Sequence, residues 1–107
     1  MSPAPEAELT EEKFLDAVSA IRFHSPDLSP IGAAILAAIE FGIANDSRLF
    51  SNRLGIEHAL VLREITALSS AELGLLEILQ RNERTQKTSF ALTGKGQELV
   101  SRSLTAT

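Results

Sequence analysis

The chain has no cysteine, no tryptophan and no tyrosine. Without cysteine there are no disulfides, no thiolate metal ligands and no thiol nucleophile, and a reducing, cytoplasmic setting is expected. Without Trp or Tyr the usual stacking platform for single-stranded nucleic acid is missing, although five Phe remain. His24 and His58 are the only histidines, and no H-E-x-x-H or glycine-rich phosphate loop accompanies them. Gly94-Lys95-Gly96 lacks the upstream glycine and the following Ser/Thr of a P-loop. Glu57 and His58 are adjacent, and neighbours on a helix point apart rather than at one substrate. These absences argue against an enzyme and leave no cofactor or metal site to name. The longest apolar run, Ile31 to Ala38, is far short of the ~20 residues of a membrane span. Met1 to Leu9 carries prolines and acids but no base, unlike a secretory signal.

What is present suits one domain. A chain of 107 residues can bury its own core, and 44% hydrophobic with 22% charged residues is ordinary for a globular protein. The net charge of −4 opposes a uniformly basic nucleic-acid binder. The charge is unevenly placed, however. In residues 1–46, Glu6, Glu8, Glu11, Glu12, Asp16, Asp27, Glu40 and Asp46 face only Lys13 and Arg22. In residues 81–102, Arg81, Arg84, Lys87, Lys95 and Arg102 face only Glu83 and Glu98.

Periodicity predicts mainly α structure with a small two-stranded hairpin, an α+β class. Residues 1–9 read as a disordered tail and 10–107 as the domain. Thr10 caps a helix to about Phe23, with Phe14, Leu15, Val18 and Ile21 on one stripe. Ser29-Pro30 starts a second helix, apolar nearly all round, in which Ile31, Ile35, Ile39 and Ile43 recur and which Asn45-Asp46 stops. A short third helix covers 47–54, capped by Asp46 or Ser47, and Gly55 turns the chain out of it. A fourth helix runs from about Glu57 to Ser70, with Val61, Leu62, Ile65 and Leu68 inward and Ala59, Leu60, Arg63, Thr66 and Ala67 outward. Leu75 to Arg81 and Lys87 to Leu92 read as strands, with Leu76 and Ile78 sharing a face on the first and Thr88, Phe90 and Leu92 inward on the second; the polar turn 82–86 joins the two strands. Thr93 caps a last helix to about Leu104, whose first turn Gly94 and Gly96 weaken.

Three segments carry a family resemblance. Leu49-Phe50-Ser51-Asn52-Arg53-Leu54-Gly55-Ile56 looks like the second helix and turn of a winged helix-turn-helix. Leu75-Leu76-Glu77-Ile78 looks like the strand that opens its wing, and Phe90-Ala91-Leu92-Thr93-Gly94-Lys95-Gly96 like the L-T-x-K-G with which such wings close. Over residues 30–104 the chain resembles the MarR-like bacterial transcriptional regulators, as a minimal or divergent member. It departs from them in Glu57, where Ser or Thr usually starts the recognition helix, in Glu64, at a usually apolar position, and in about two extra residues before Gly74-Leu75.

The resemblance implies a helix-turn-helix at about 47–70 and a wing at about 75–92. It implies duplex DNA as partner, contacted by Ser47 and Arg48 at the third helix, Ala59, Leu60 and Arg63 on the recognition helix, and Arg81, Arg84, Gln86 and Lys87 at the wing. Arg63 suits guanine, Leu60 and Ala59 suit thymine methyls, and the wing cations suit phosphate. It also implies a homodimer built by the terminal helices through Phe14, Leu15, Val18, Ile21, Leu99, Val100 and Leu104. Two readings stay open beside these. The terminal stripes can simply complete the monomer core, and the fold can serve as a protein-interaction module without touching nucleic acid. No residue set announces a pocket for a small-molecule effector.

Overall fold

The second helix is the centre of the molecule. In the computed structural model, which describes residues 10–105, α2 (Pro30–Glu40) buries Ala33, Ile35, Leu36, Ala37 and Ala38. An element apolar on nearly every side needs neighbours all round. It has them in α1 (Glu11–His24), α4 (His58–Leu68) and α5 (Gly94–Thr105), each packed against it. The remaining elements are α3 (Ser47–Leu54), β1 (Leu76–Arg81) and β2 (Thr88–Leu92), giving the order α1–α2–α3–α4–β1–β2–α5. The architecture is therefore mainly helical with one antiparallel hairpin. The expected tail, 1–9, lies outside the described residues. No helix among the described residues is long and apolar enough to cross a membrane.

The start signals act as read. Thr10 accepts a bond from the Lys13 N–H, Ser29 from Gly32 and Asp46 from Leu49, each satisfying one orphan donor of a first turn. Thr93 accepts from Gly96 N–H while donating to the Gly74 carbonyl, which ties the start of α5 to the approach of β1.

The stops differ in two places, at the ends of α2 and α4. α2 ends at Glu40, five residues before Asn45. Gly42 adopts the left-handed conformation at φ 70°, and Gly42 and Ile43 N–H groups donate back to Ile39 and Ala38. That is the Schellman closure, and it leaves Ile43 beyond the helix rather than on its stripe. Gly55 closes α3 the same way at φ 67°, with Ile56 N–H bonded to the Ser51 carbonyl, as the sequence predicts. α4 is shorter than expected. It starts at His58, with Glu57 at the N-cap position making no side-chain cap bond, and it ends at Leu68 before the turn through Gly74.

The hairpin carries two features that periodicity does not show. Its register slips between Ile78 and Gln80, so Leu79 is left unpaired on β1 and lies 59% exposed. Such a bulge bends the strand and twists it further. Leu76 and Ile78 stay in regular register opposite Leu92 and Phe90 and so share a face, but Leu76 is buried while Ile78 is at the surface. Leu92, expected inward, is half-buried. The outer edge of β2 is also occupied: Ser89 bridges Asp46, and the Phe90 N–H donates to the Asn45 carbonyl.

The dimer residues need correction. Phe14, Ile21, Leu99 and Val100 all belong to the single core of this chain, where α1 packs on α5. Ile21 and Val100 have no exposed surface at all. Their apolar area is removed from water inside one molecule and cannot also face a partner. Only Leu15, exposed, and Val18 and Leu104, half-buried, keep surface outside.

Candidate functional site

α3 packs on α4, and both rest on α2 or the hairpin through residues spaced for a helical inner face. Phe50 of α3 and Val61, Ile65 and Leu68 of α4 are buried together in the core. Fully burying one such side chain contributes about 1.5–3 kcal/mol, so the two helices are firmly seated. This leaves the other side of α4 outward. Ala59, Leu60, Arg63, Thr66 and Ala67 are all exposed, as the periodicity predicts. Glu64, at a position where an apolar residue was expected, is half-buried and accepts a 2.8 Å bond from the Ser29 hydroxyl at the start of α2. The carboxylate thus anchors α4 to α2 and is not part of the outer face.

The hairpin tip is fixed by its own polar side chains. The Asn82 Oδ1 accepts from the N–H groups of Arg84 and Thr85 at 2.9 and 3.0 Å. Gln86 then turns the chain at φ 64°, a left-handed conformation unusual for a residue with a Cβ. Arg81, Arg84, Gln86 and Lys87 are all exposed around this loop. Arg81 donates from Nε to the Thr88 hydroxyl at 3.2 Å, which steadies its guanidinium on the hairpin.

Arg48 joins the tip to α3. One of its terminal nitrogens donates to the Thr85 carbonyl at 3.0 Å while the residue stays exposed. A guanidinium has five N–H donors, so most remain free for an anion. Arg48 of α3 is in this way held against the loop that carries Arg84 and Lys87, although the two lie far apart in sequence.

Ser47 does not share that role. It is fully buried, and its hydroxyl is used inside the protein. It accepts the Thr88 N–H at 2.9 Å and lies 2.8 Å from His58 Nε2. The expectation of a phosphate contact from Ser47 is therefore wrong. A helix N-terminal serine can face either solvent or a neighbouring strand, and here the start of β2 covers it. His58 is half-buried at the start of α4. Burial holds its pKa below the ordinary 6.5; Arg48 pushes the same way and Asp46 opposes.

Among the described residues, no cluster of three His, Asp or Glu side chains is placed to hold a metal ion. The larger surface clefts are shallow. One of about 410 Å³ runs between α1 and α5 and is lined by Lys13, Asp16, Ala17, Ala20, Phe41, Ser103 and Leu104. Comparison of the chain with protein-family models, curated proteins and solved structures gives no match.

Proposed function

We propose that this chain is a winged helix-turn-helix protein that binds duplex DNA as a transcriptional regulator, with α4 entering the major groove and the hairpin serving as wing. The observation that carries the reading is the junction of Arg48 with the hairpin tip. It holds the exposed Arg48 against the loop that carries the exposed Arg84 and Lys87. A row of cations flanking an outward helix face is the arrangement that phosphate anchoring and groove readout need. Arg63 is the base-reading side chain, with Leu60 and Ala59 placed for thymine methyls. Of the acids behind the net charge of −4, Glu11, Glu12 and Asp16 lie on α1, while Glu57 and Glu83 lie at the start of α4 and in the hairpin tip.

Twofold pairing is proposed on a smaller surface than the resemblance implies. Leu15, Val18 and Leu104 remain available, joined by Phe41, which is exposed beside the α1–α5 cleft.

Salt titration of binding to a random-sequence duplex tests the function. Contacts to about four to eight phosphates make the affinity fall steeply and linearly on a log–log plot as salt rises. No binding at low salt would remove the DNA reading. One observation would then favour a protein partner instead: Leu60, Ala59 and Ala67 form an exposed apolar strip on α4.

A further inference from the structure

Three elements that are distant in sequence meet at one buried oxygen. Ser47 Oγ, at the first residue of α3, accepts the N–H of Thr88, the first residue of β2, at 2.9 Å. It also lies 2.8 Å from Nε2 of His58, the first residue of α4. The backbone N–H can only donate, so it occupies an acceptor position on Ser47. The serine hydrogen can then go to the imidazole, which accepts it at Nε2 in the neutral tautomer that carries its proton on Nδ1. In that state the Thr88 N–H, the Ser47 hydroxyl and His58 Nε2 all have partners.

We infer that His58 is a proton-operated latch: the neutral ring fastens the outward helix α4 to the hairpin through Ser47, and protonation releases it. A protonated ring has donors at both nitrogens. Ser47 Oγ would then face two N–H donors, and its own hydrogen would have lost its acceptor inside a residue with no exposed surface. An unmade hydrogen bond in such a place is costly. The half-buried ring has a simpler course, which is to turn toward water and leave the junction.

The charges around the ring point the same way. From α3, Arg48 opposes a second positive charge, while Asp46 favours it. The Asp46 Oδ1 is already engaged by the Leu49 N–H at 2.8 Å. From the hairpin the residue at the junction is uncharged Thr88, whose hydroxyl accepts from Arg81. From α4 itself the chain neighbour is Glu57, which makes no cap bond. The lowered pKa of His58 agrees with this accounting. The geometry stands without it.

The test is a two-dimensional NMR titration of the free protein between about pH 5 and pH 8, across the ordinary histidine range. In the His24→Gln background a single imidazole remains, so its resonances are unambiguous. The latch requires the His58 midpoint to lie below 6.5. It also requires the Thr88 amide, across the junction on β2, to shift with that same midpoint. In His58→Gln the Thr88 response should be lost, and in Ser47→Ala the ring should still titrate while Thr88 no longer follows. An unresponsive Thr88 amide in the wild-type chain overturns the latch, as does an unchanged Thr88 curve in His58→Gln or a midpoint at or above 6.5. The wild-type titration alone is decisive if either variant fails to fold. No DNA is used, so the outcome is independent of the function proposed above.

Discussion

Replacing Gly96 by alanine should destabilise the protein, although Gly96 lies in a helix where alanine is ordinarily the better residue. A Cβ built on Gly96 would stand 2.2 Å from the Leu75 carbonyl oxygen and 3.2 Å from its carbon. These are backbone atoms, so no side-chain rotation relieves the clash. The last helix and the approach to β1 must separate by roughly 1 Å to reach ordinary carbon contact. Overpacking of this kind costs about 1–3 kcal/mol, and a backbone clash belongs at the upper end. The intrinsic gain of Gly to Ala in a helix offsets about 1 kcal/mol of it. The net loss is about 2 kcal/mol, which lowers Tm by roughly 8–16 °C in a domain of this size. Gly94 supplies the control, because nothing lies within 4 Å of a Cβ there. Gly94→Ala should stabilise by about 0.4–1 kcal/mol through the unfolded chain alone. Thermal and urea unfolding followed by circular dichroism would measure both. If Gly96→Ala proved as stable as the wild type, α5 would not approach Leu75 as closely as described, and the docking of the last helix would be wrong.

Four further outcomes are expected. Arg84→Ala with Lys87→Ala should weaken binding to all duplex sequences alike and flatten the salt dependence by about two contacts, measured by fluorescence anisotropy. Arg63→Ala should relax preference at one base position by about 1–3 kcal/mol; an unchanged preference in a selection experiment would remove α4 as the reader. The folded chain holds the His58 pKa below 6.5, so the unfolded chain takes up the proton first. The His58 contribution to stability is thus fully present above pH 6.5 and is lost as pH falls from there through the folded-state value. Urea midpoints taken across that range should fall less in His58→Gln. Sedimentation should give a dimer mass at high micromolar concentration, reduced toward monomer by Phe41→Glu; a monomer mass for the wild type would leave α1 and α5 as parts of one core only.

The elements with local causes were legible in the sequence. Hydroxyl or carboxylate caps at Thr10, Ser29, Asp46 and Thr93 set where four helices begin, because each satisfies N–H groups within three residues of itself. Gly55 marked a stop for the same reason, since only a residue without a Cβ adopts that turn freely. Gly42 carried the same signal, but the unbroken isoleucine repeat across it obscured the stop. The outward face of α4 followed from period alone, and the exposed set Ala59, Leu60, Arg63, Thr66 and Ala67 agrees residue by residue.

What only the tertiary structure decided concerns the fate of polar and apolar groups at contacts. Period places Ile21 and Val100 on stripes, but whether a stripe meets this chain or another depends on which helices pack together, and α1 meets α5 within the molecule. Ser47 could not be told from a solvent-facing serine until β2 was seen to cover it, forty-one residues on in the chain. Glu64 finds its purpose in a serine thirty-five residues earlier. Local hydrogen bonding and side-chain period are written in neighbouring residues, so the sequence determined helices, turns and the outward face. The partner of a buried hydroxyl, the owner of an apolar stripe and the closeness of Gly96 to Leu75 are properties of long-range packing, and packing settles them only when the whole chain has closed.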